Sequence, residues 1–439
     1  MLSSLRQHTL DPIRGFGRPA RLFLAMLVLD GIIFSSWQLF FNFYILQSGF
    51  TREFLGLATS LPSAAALIFG IPLGRLSDRI GRKASIIIGI AMSSLLMLAQ
   101  VTFRDPRLIV AAAFLYGAFN ILFIVGQAPL MAKLSSRDNR TMLFSLAFGL
   151  QTIAGSVGAL FAGQLPGLFA GLLNVGAHSA AAYQAVLIAS VLLGSVGIVP
   201  MWLMEEPRPT PGRLDAESAP ADGERALPSA SRREAASALW IATARLTAPQ
   251  VLIGFGAAIL IPYINVFYKD RFNISDSTLG GLFGLSSLLI GVGSLLAPRL
   301  ATILASKIRA IVATQLSSII FLLLLGFSPA LWLSSLSYLM RTALMNMAAP
   351  LYSAYCMEHT PEEHQGLVNS VLGLSWSVGW AVGPYVSGLV QQHYGFPPLF
   401  IATAILYGLA SLLIWLLFGR SDSAVAESQA ILRSPEHPE

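Results

Sequence analysis

The chain has 439 residues and a formal net charge of +6, yet only 11% of its residues are charged and 55% are hydrophobic. A soluble domain carries roughly a quarter charged residues, so a chain of this length could not cover its surface in water. A single cysteine excludes a disulfide within the chain and any multi-cysteine metal site.

Long apolar runs separated by short polar segments predict twelve membrane-spanning helices, because about 20 apolar residues cross the hydrocarbon core. The first run is too long for the apolar region of a cleavable signal peptide. In chain order, the predicted spans are 22–46, 54–74, 84–103, 108–132, 142–164, 180–204, 247–268, 279–297, 308–328, 331–357, 367–391 and 397–419.

A stretch rich in Pro, Ala, Ser and mixed charge interrupts this pattern at 205–240 and predicts a flexible cytoplasmic linker. The linker divides the chain into an N-terminal six-helix bundle over 1–204 and a C-terminal six-helix bundle over 241–420. The remaining residues, 421–439, are predicted to form a disordered cytoplasmic tail. The fold class is therefore an all-α membrane protein with two six-helix bundles.

Short sequence matches indicate that the two bundles are pseudo-symmetric copies. The tripeptide Ala-Pro-Leu occurs at 128–130 and again at 349–351, near the ends of the fourth and tenth spans. Transporters built from such repeats place their substrate site between the repeats, near the midplane of the membrane.

Basic residues orient the predicted spans. Most of the 28 Lys and Arg fall in loops on the side of the amino terminus, which the positive-inside rule assigns to the cytoplasm. We therefore expect a multi-pass monomer in the plasma membrane, in contact with lipids, with both termini cytoplasmic and no nucleic-acid partner. The opposite set of loops contains only Arg52, Arg104, Arg107, Lys269 and Arg271.

The loop between the second and third spans reads GRLSDRIGRK. This run resembles the Gly-x-Leu-x-Asp-Arg-x-Gly-Arg-Lys signature of the major facilitator superfamily at every fixed position, in the loop where that family carries it. The resemblance implies a twelve-helix secondary transporter in which Asp78 latches the two halves together in the outward-facing state. Alternatively, the loop only anchors the topology. The residues of this gating motif are Gly74, Asp78, Arg79, Gly81, Arg82 and Lys83.

Two related segments depart from the family pattern. In the second half, the corresponding loop has Thr302 at the place of Asp78 and Ala305 at the place of Gly81, which predicts a one-sided latch. The eleventh span is similar to an antiporter motif that the family carries in the fifth span, where this chain lacks the proline. Close helix packing and a proline kink are the alternative explanation for Gly379, Gly383 and Pro384.

Only two charged residues fall in the middle of a predicted span, Asp30 in the first and Arg341 in the tenth. Each lies about ten residues into its span, or roughly 15 Å deep, where a charge is costly unless paired or hydrated. In the family these spans line the central cavity, so we expect a pair between the two charges, direct or through water. Such a pair serves either transport or only the stability of the bundle.

Other polar and aromatic side chains extend this predicted site at helical spacing. The set suits a moderately polar or amphipathic small molecule. It comprises Trp37, Gln38 and Phe41 of the first span, Tyr116, Asn120 and Gln127 of the fourth, Tyr263 and Asn265 of the seventh, and Tyr338 of the tenth.

These features favour a proton-coupled exporter of amphipathic compounds, with Asp30 as the proton carrier. An uptake permease or a facilitator for a small metabolite is the alternative within the same fold, and a lipid-flipping protein is the alternative from another class. We expect no enzymatic activity, no cofactor and no metal. The spans hold no paired carboxylates, no histidine cluster and no nucleotide-binding loop.

Overall fold

The computed structural model describes residues 16–136, 139–205 and 229–433, and every regular element in these ranges is a helix. There are fifteen α-helices and one short 3-10 helix, Ile261–Tyr263, between α9 and α10. The α-helices are α1 Arg18–Gln47, α2 Arg52–Ile80, α3 Arg82–Thr102, α4 Pro106–Leu134, α5 Arg140–Ala162, α6 Leu165–Leu173, α7 Ala180–Ser195, α8 Ile198–Leu203, α9 Ser229–Leu260, α10 Ile264–Phe272, α11 Asp276–Ile303, α12 Lys307–Phe327, α13 Leu331–Glu358, α14 Glu362–Tyr394 and α15 Pro397–Arg433.

Each of the twelve predicted spans coincides with one long helix or with consecutive helices. Ten helical segments of the described chain are long and apolar enough to cross a membrane. The two other long helices, α13 and α14, have 28 and 33 residues and occupy the tenth and eleventh predicted spans. In α13 the polar side chains Arg341, Thr342 and Asn346 line a cavity inside the protein, and α14 contributes Trp376 and Trp380 to the same cavity.

Two boundaries differ from the sequence prediction. Residues 229–240, predicted as linker, form the beginning of α9, and α15 continues to Arg433 through most of the predicted tail. Both segments are rich in Ala, Leu, Glu, Gln and Arg, which are good helix formers, and extending an existing helix avoids the cost of nucleation. Residues 206–228 of the predicted linker and 434–439 of the predicted tail lie outside the described ranges.

The two halves repeat one packing scheme. In the first half, α1 packs against α5 and α7, and α4 packs against α2 and α3. In the second half, α9 packs against α14 and α15, and α13 packs against α11 and α12. The halves meet through two equivalent contacts, α2 with α14 and α5 with α11. This is the arrangement expected of two pseudo-symmetric bundles.

The halves are in contact at one end of the molecule. We call it the sealed end, and it contains the start of α2 and the end of α14. Here Gly56 lies against the backbone of Pro384, and Gly163 lies against the backbone of Gly280. Between described residues, every hydrogen bond or ion pair that joins the halves lies in this region, such as Ser156 Oγ donating to the carbonyl of Gly284 at 2.7 Å.

The halves part toward the other end, which we call the motif end because it contains the loop 74–83. Four glycines on the motif-end parts of the same four helices face open space, with no atom within 4 Å of the position that a side chain would occupy. They are Gly74 of α2, Gly149 of α5, Gly291 of α11 and Gly373 of α14. The structure is therefore a bundle closed at one end and open at the other.

A candidate substrate cavity between the two halves

The first-half cavity has a volume of about 330 Å³ and is lined mainly by α1, α2, α3 and α4. Asp30 lies in its wall, and its carboxylate accepts a hydrogen bond from Gln151 Nε2 at 2.7 Å. Gln151 belongs to α5, which approaches α1 closely because Gly31 has no side chain. A Cβ at Gly31 would lie 2.6 Å from the carbonyl oxygen of Gln151. A glycine contact therefore positions the hydrogen-bond partner of this half-buried acid.

An aromatic face of α1 continues from Asp30 along the same cavity. The rings of Trp37 and Phe41 stack with their centroids 4.6 Å apart. Phe34, one turn nearer to Asp30, is 64% exposed. Tyr116 and Asn120 of α4 also line the cavity. Aromatic surface beside a carboxylate and an amide can hold a small amphipathic molecule.

The second-half cavity has a volume of about 260 Å³ and is lined by α9, α11, α13, α14 and α15. Arg341 lies in its wall and is only 4% exposed, and Tyr338 of the same helix lines it as well. The guanidinium donates one hydrogen bond, from Nη2 to the hydroxyl of Tyr407 at 2.8 Å.

Gln38 and Trp380 line both cavities, so the two spaces adjoin at these side chains. The direct pair predicted between Asp30 and Arg341 is not formed in this conformation. Each charge has a neutral partner in its own half, Gln151 for the acid and Tyr407 for the base. The physical reason is that each charged helix is packed within its own bundle, and the bundles touch only at the sealed end.

Three other predicted site residues line neither cavity. Tyr263 donates a hydrogen bond to the carbonyl of Pro384 at 2.9 Å, within the second half. Asn265 donates to the carbonyl of Leu39 at 2.8 Å and accepts from Asn42, so it joins the halves at the sealed end. Gln127 is half-buried on α4 outside both cavities. The sequence gives depth in the membrane but not the direction in which each side chain points.

Several cavity residues were missed by the sequence analysis. Gln151, Thr342, Trp380 and Tyr407 all contact or line the two cavities, and all lie inside apolar spans. The feature of the sequence that could have identified them is a polar or amphipathic side chain in the middle of a predicted span. Helical spacing from Asp30 and Arg341 does not reach these residues, because all four lie on other helices or beside Arg341 itself.

The gating motif forms a tight connection within the first half. Gly81 ends α2 with a φ of 92°, a backbone conformation that favours glycine. Asp78 pairs with Arg82, and Lys83 donates to the backbone carbonyl of Trp202 at 3.0 Å. Gly74, expected to permit close helix approach, has no neighbour in this open conformation. Asp78 is 58% exposed, and its role as a latch between the halves stays a prediction.

The glycines of the eleventh predicted span pack closely within the second half. Gly379 lies against the backbone of Gly254, and Gly383 lies against Ala258, so α14 and α9 are in backbone contact. Pro384 follows at the point where α14 also meets α2. The close-packing explanation thus accounts for these residues in this conformation.

Charged groups lie across the junction at the sealed end. Arg52 of the first half pairs with Asp270 of the second at 2.6 Å. Asp276 is buried and accepts from Lys269 at 2.7 Å and from the hydroxyl of Tyr183, a first-half residue, at 3.3 Å. The Arg52–Asp270 ion pair and the hydrogen bond from Tyr183 to Asp276 therefore join the halves at the sealed end, whereas Lys269 and Asp276 pair within the second half.

A family model described as the Major Facilitator Superfamily matches residues 22–248 and 246–434 of the chain. The chain belongs to this superfamily. The resemblance predicted from the loop 74–83 is confirmed, and so is the fold class. Members of the superfamily are membrane transporters of small molecules, so this chain is a transporter and not an enzyme.

Curated relatives of this Major Facilitator Superfamily chain are distant. It is 24% identical over 189 residues to Sugar efflux transporter A of Dickeya chrysanthemi, covering 42% of this chain and 47% of that relative. It is 24% identical to the Methylenomycin A resistance protein of Bacillus subtilis, covering 84% and 86%. It is also 24% identical to the uncharacterized transporter YhhS of Escherichia coli, covering 87% of each chain.

Solved structures share the fold at lower identity. A bacterial homolog of the human lysosomal transporter Spinster, in an inward-facing and occupied conformation, superposes with a TM-score of 0.66 at 14% identity, covering 91% of this chain and 96% of that one. The D-xylose-proton symporter has a TM-score of 0.66 at 14% identity, covering 90% and 97%. At this identity the likeness shows the superfamily fold alone.

Proposed function

We propose that this protein is a proton-coupled secondary transporter that exports an amphipathic small molecule across the plasma membrane by alternating access. The observation that supports this proposal most directly is a pair of six-helix halves that touch at one end and part at the other, with a half-buried acid, Asp30, in the wall of the first-half cavity. Alternating access needs such a site, reached from one side at a time.

The charge distribution supports an orientation for this cycle. The motif end carries the strongly basic loops, which the positive-inside rule assigns to the cytoplasm. With that orientation, the open cavity faces the cytoplasm and the sealed end faces the exterior. The conformation is then the one in which an exporter takes up its substrate.

Asp30 is the proposed proton carrier. Its partner is the neutral amide of Gln151, and no cation among the described residues lies within ion-pair distance of it. An ionisable group in this position marks a proton or substrate pathway in a membrane protein. It can exchange a proton with water that enters the open cavity, while the amide holds the carboxyl group in place.

The names of two relatives favour export. One is called a sugar efflux transporter, a name that describes movement out of the cell, and another is called a resistance protein, to which export of a toxic compound would contribute. The aromatic lining beside Asp30 suits an amphipathic compound better than a fully polar one.

Purified protein in proteoliposomes tests the coupling. Labelled sugars, nucleosides and amphipathic drugs are added outside vesicles that contain a trapped pH-sensitive dye. We expect an amphipathic compound to accumulate when the lumen is acidic, and the lumen to become more alkaline as protons leave in exchange. Asp30→Asn should abolish this accumulation, whereas Glu205→Gln, at an exposed position, should preserve it.

Two results would contradict the proposal. Accumulation that requires acid outside the vesicles would indicate an uptake permease. Accumulation that ignores the pH gradient and survives in Asp30→Asn would remove proton coupling.

A further inference from the structure

The second-half cavity contains a buried cation without a counter-ion. Arg341 is 4% exposed, and among the described residues no carboxylate lies within 4 Å of it. Its Nη2 bonds to the hydroxyl of Tyr407, and its Nε has no hydrogen-bond partner. The guanidinium carbon also lies 5.7 Å from the centroid of the Tyr407 ring, but this contact uses none of the remaining N–H groups.

Such a group is unfavourable as it stands. A buried charge is tolerated when it is paired or hydrated, and guanidinium groups offer five N–H donors in a planar fork. A single tyrosine hydroxyl cannot balance the charge or occupy the fork. Asp30, the one acid in the middle of a span, is bound to Gln151 in the adjoining cavity. The missing partner of Arg341 is therefore not supplied by the described chain in this conformation.

Two further donors in the same cavity are also unoccupied. Thr342 Oγ1 and Trp380 Nε1 are buried without a hydrogen-bond partner, and both residues line the second-half cavity beside Arg341. The amide oxygen of Gln315, a possible acceptor, already binds the hydroxyl of Ser411 at 2.8 Å. The cavity therefore presents a buried positive charge together with two unpaired donors, which is a combination that suits an anion.

We propose that the second-half cavity is the docking subsite for the acidic group of an amphipathic organic anion. This rests on the proposed function, since it names the substrate class of the same transport site. A carboxylate, sulfonate or phosphate accepts from the guanidinium fork in a bidentate geometry. Phe283, Met345 and Trp376 supply apolar surface around it for the rest of the molecule.

Binding to the full chain in neutral detergent tests the subsite. Naphthoate and naphthamide share a ring and differ in charge, and their binding is read from the rise in melting temperature with concentration. We expect naphthoate to bind at least tenfold more tightly than naphthamide, because hydrogen bonds to charged groups are the stronger ones. Arg341→Gln should remove that preference, whereas Arg299→Gln, an exposed site on α11, should keep it.

A second pair of variants covers the case in which Arg341→Gln does not fold. Thr342→Val removes one donor and keeps the shape of the side chain, and Trp380→Phe removes the indole N–H and keeps an aromatic ring. We expect each to weaken naphthoate binding about tenfold and to change naphthamide binding much less. Equal binding of the two compounds to the wild type, or a preference for naphthoate in Arg341→Gln, would overturn the inference.

Three more outcomes distinguish this inference from a lipid site and from the proposed proton coupling. Stabilisation by phosphatidylglycerol but not by naphthoate would overturn it in favour of a lipid headgroup. Weak naphthoate binding together with pH-driven transport of a neutral compound would overturn the anion subsite and leave the proposed function intact. Tight naphthoate binding in a protein without pH-driven transport would support the subsite and contradict the proton coupling.

Discussion

Asp30 and Arg341 each obtain a neutral partner from their own bundle. Gln151 and Tyr407 serve the acid and the base, respectively. An ion pair near the midplane would have to be broken whenever the bundles separate around it, leaving two uncompensated charges. With local partners, neither charge depends on the other half, so movement of the bundles does not have to break an ion pair between them. This explains how two opposite charges can lie in adjoining cavities without holding the halves together.

We therefore predict additive effects for the two charges. Asp30→Asn and Arg341→Gln share no partner, so the double mutant should lose as much unfolding free energy as the single mutants combined, within about 0.5 kcal/mol. The positive control is Asp30→Asn with Gln151→Leu, which removes both members of one hydrogen bond and should show clear coupling. Denaturation of the purified variants provides the measurement. A coupling above about 1 kcal/mol between Asp30 and Arg341 would show that the charges interact.

At this scale the sequence identified the charged residues but not their partners. Asp30 and Arg341 stood out because a charge in the middle of a span is costly. Their partners depend on which helix approaches at which height, and that is decided by contacts such as Gly31 against α5. A glycine on an apolar helix gives no indication, in the sequence, of which backbone it meets.

The connection between α11 and α12 contains a residue of positive φ, as its shorter first-half equivalent does. Gly81 has a φ of 92°, and Ala305, at the corresponding place, has a φ of 50°. Glycine adopts positive φ without cost, whereas an alanine there is strained. The sequence showed a degenerate loop at this point. The structure shows a positive φ in both connections, although only the first has a glycine at that position.

This strain can be relieved by one substitution. Ala305→Gly should raise the unfolding free energy by about 1 kcal/mol, and Gly81→Ala should lower it by about 1–3 kcal/mol. Ala301→Gly is the matched control, because it lies inside α11, where glycine costs about 1 kcal/mol. Melting temperatures in one detergent would compare the three. A lower melting temperature for Ala305→Gly would show that the turn is not strained.

At the scale of the whole molecule, two pseudo-symmetric contacts join the halves. Glycines occur at both contacts. At the sealed end, the ion pair between Arg52 and Asp270 also joins the halves. Apolar run length, charge asymmetry and one loop motif were enough to predict this architecture. They could not predict which end is closed. A transporter must occupy both states, so its sequence stabilises them to within a few kcal/mol of each other.

Glycine substitution along α14 should shift that balance. A Cβ at Gly388 would overlap the carbonyl oxygen of Arg52, so Gly388→Ala should loosen the sealed end and populate the state closed at the motif end. A penalty of 1–2 kcal/mol changes the ratio of states about 5–30-fold. Spin labels on the motif-end parts of α2 and α14 would report a shorter distance. Gly373→Ala, which meets open space on the same helix, should leave that distance unchanged.

The asymmetry of the two ends also bears on pharmacology. The motif end offers a cleft between the halves, whereas the sealed end offers a surface already filled by Arg52, Asp270 and their neighbours. A bulky impermeant inhibitor that binds in the cleft would prevent the halves from closing at the motif end. It would stop the transport cycle without resembling the substrate. Its potency would depend on the face of the membrane to which it is applied. A blocker applied to the opposite face could bind only when the protein opens at the sealed end. The rate of its inhibition would therefore follow the rate of turnover and not the diffusion of the blocker.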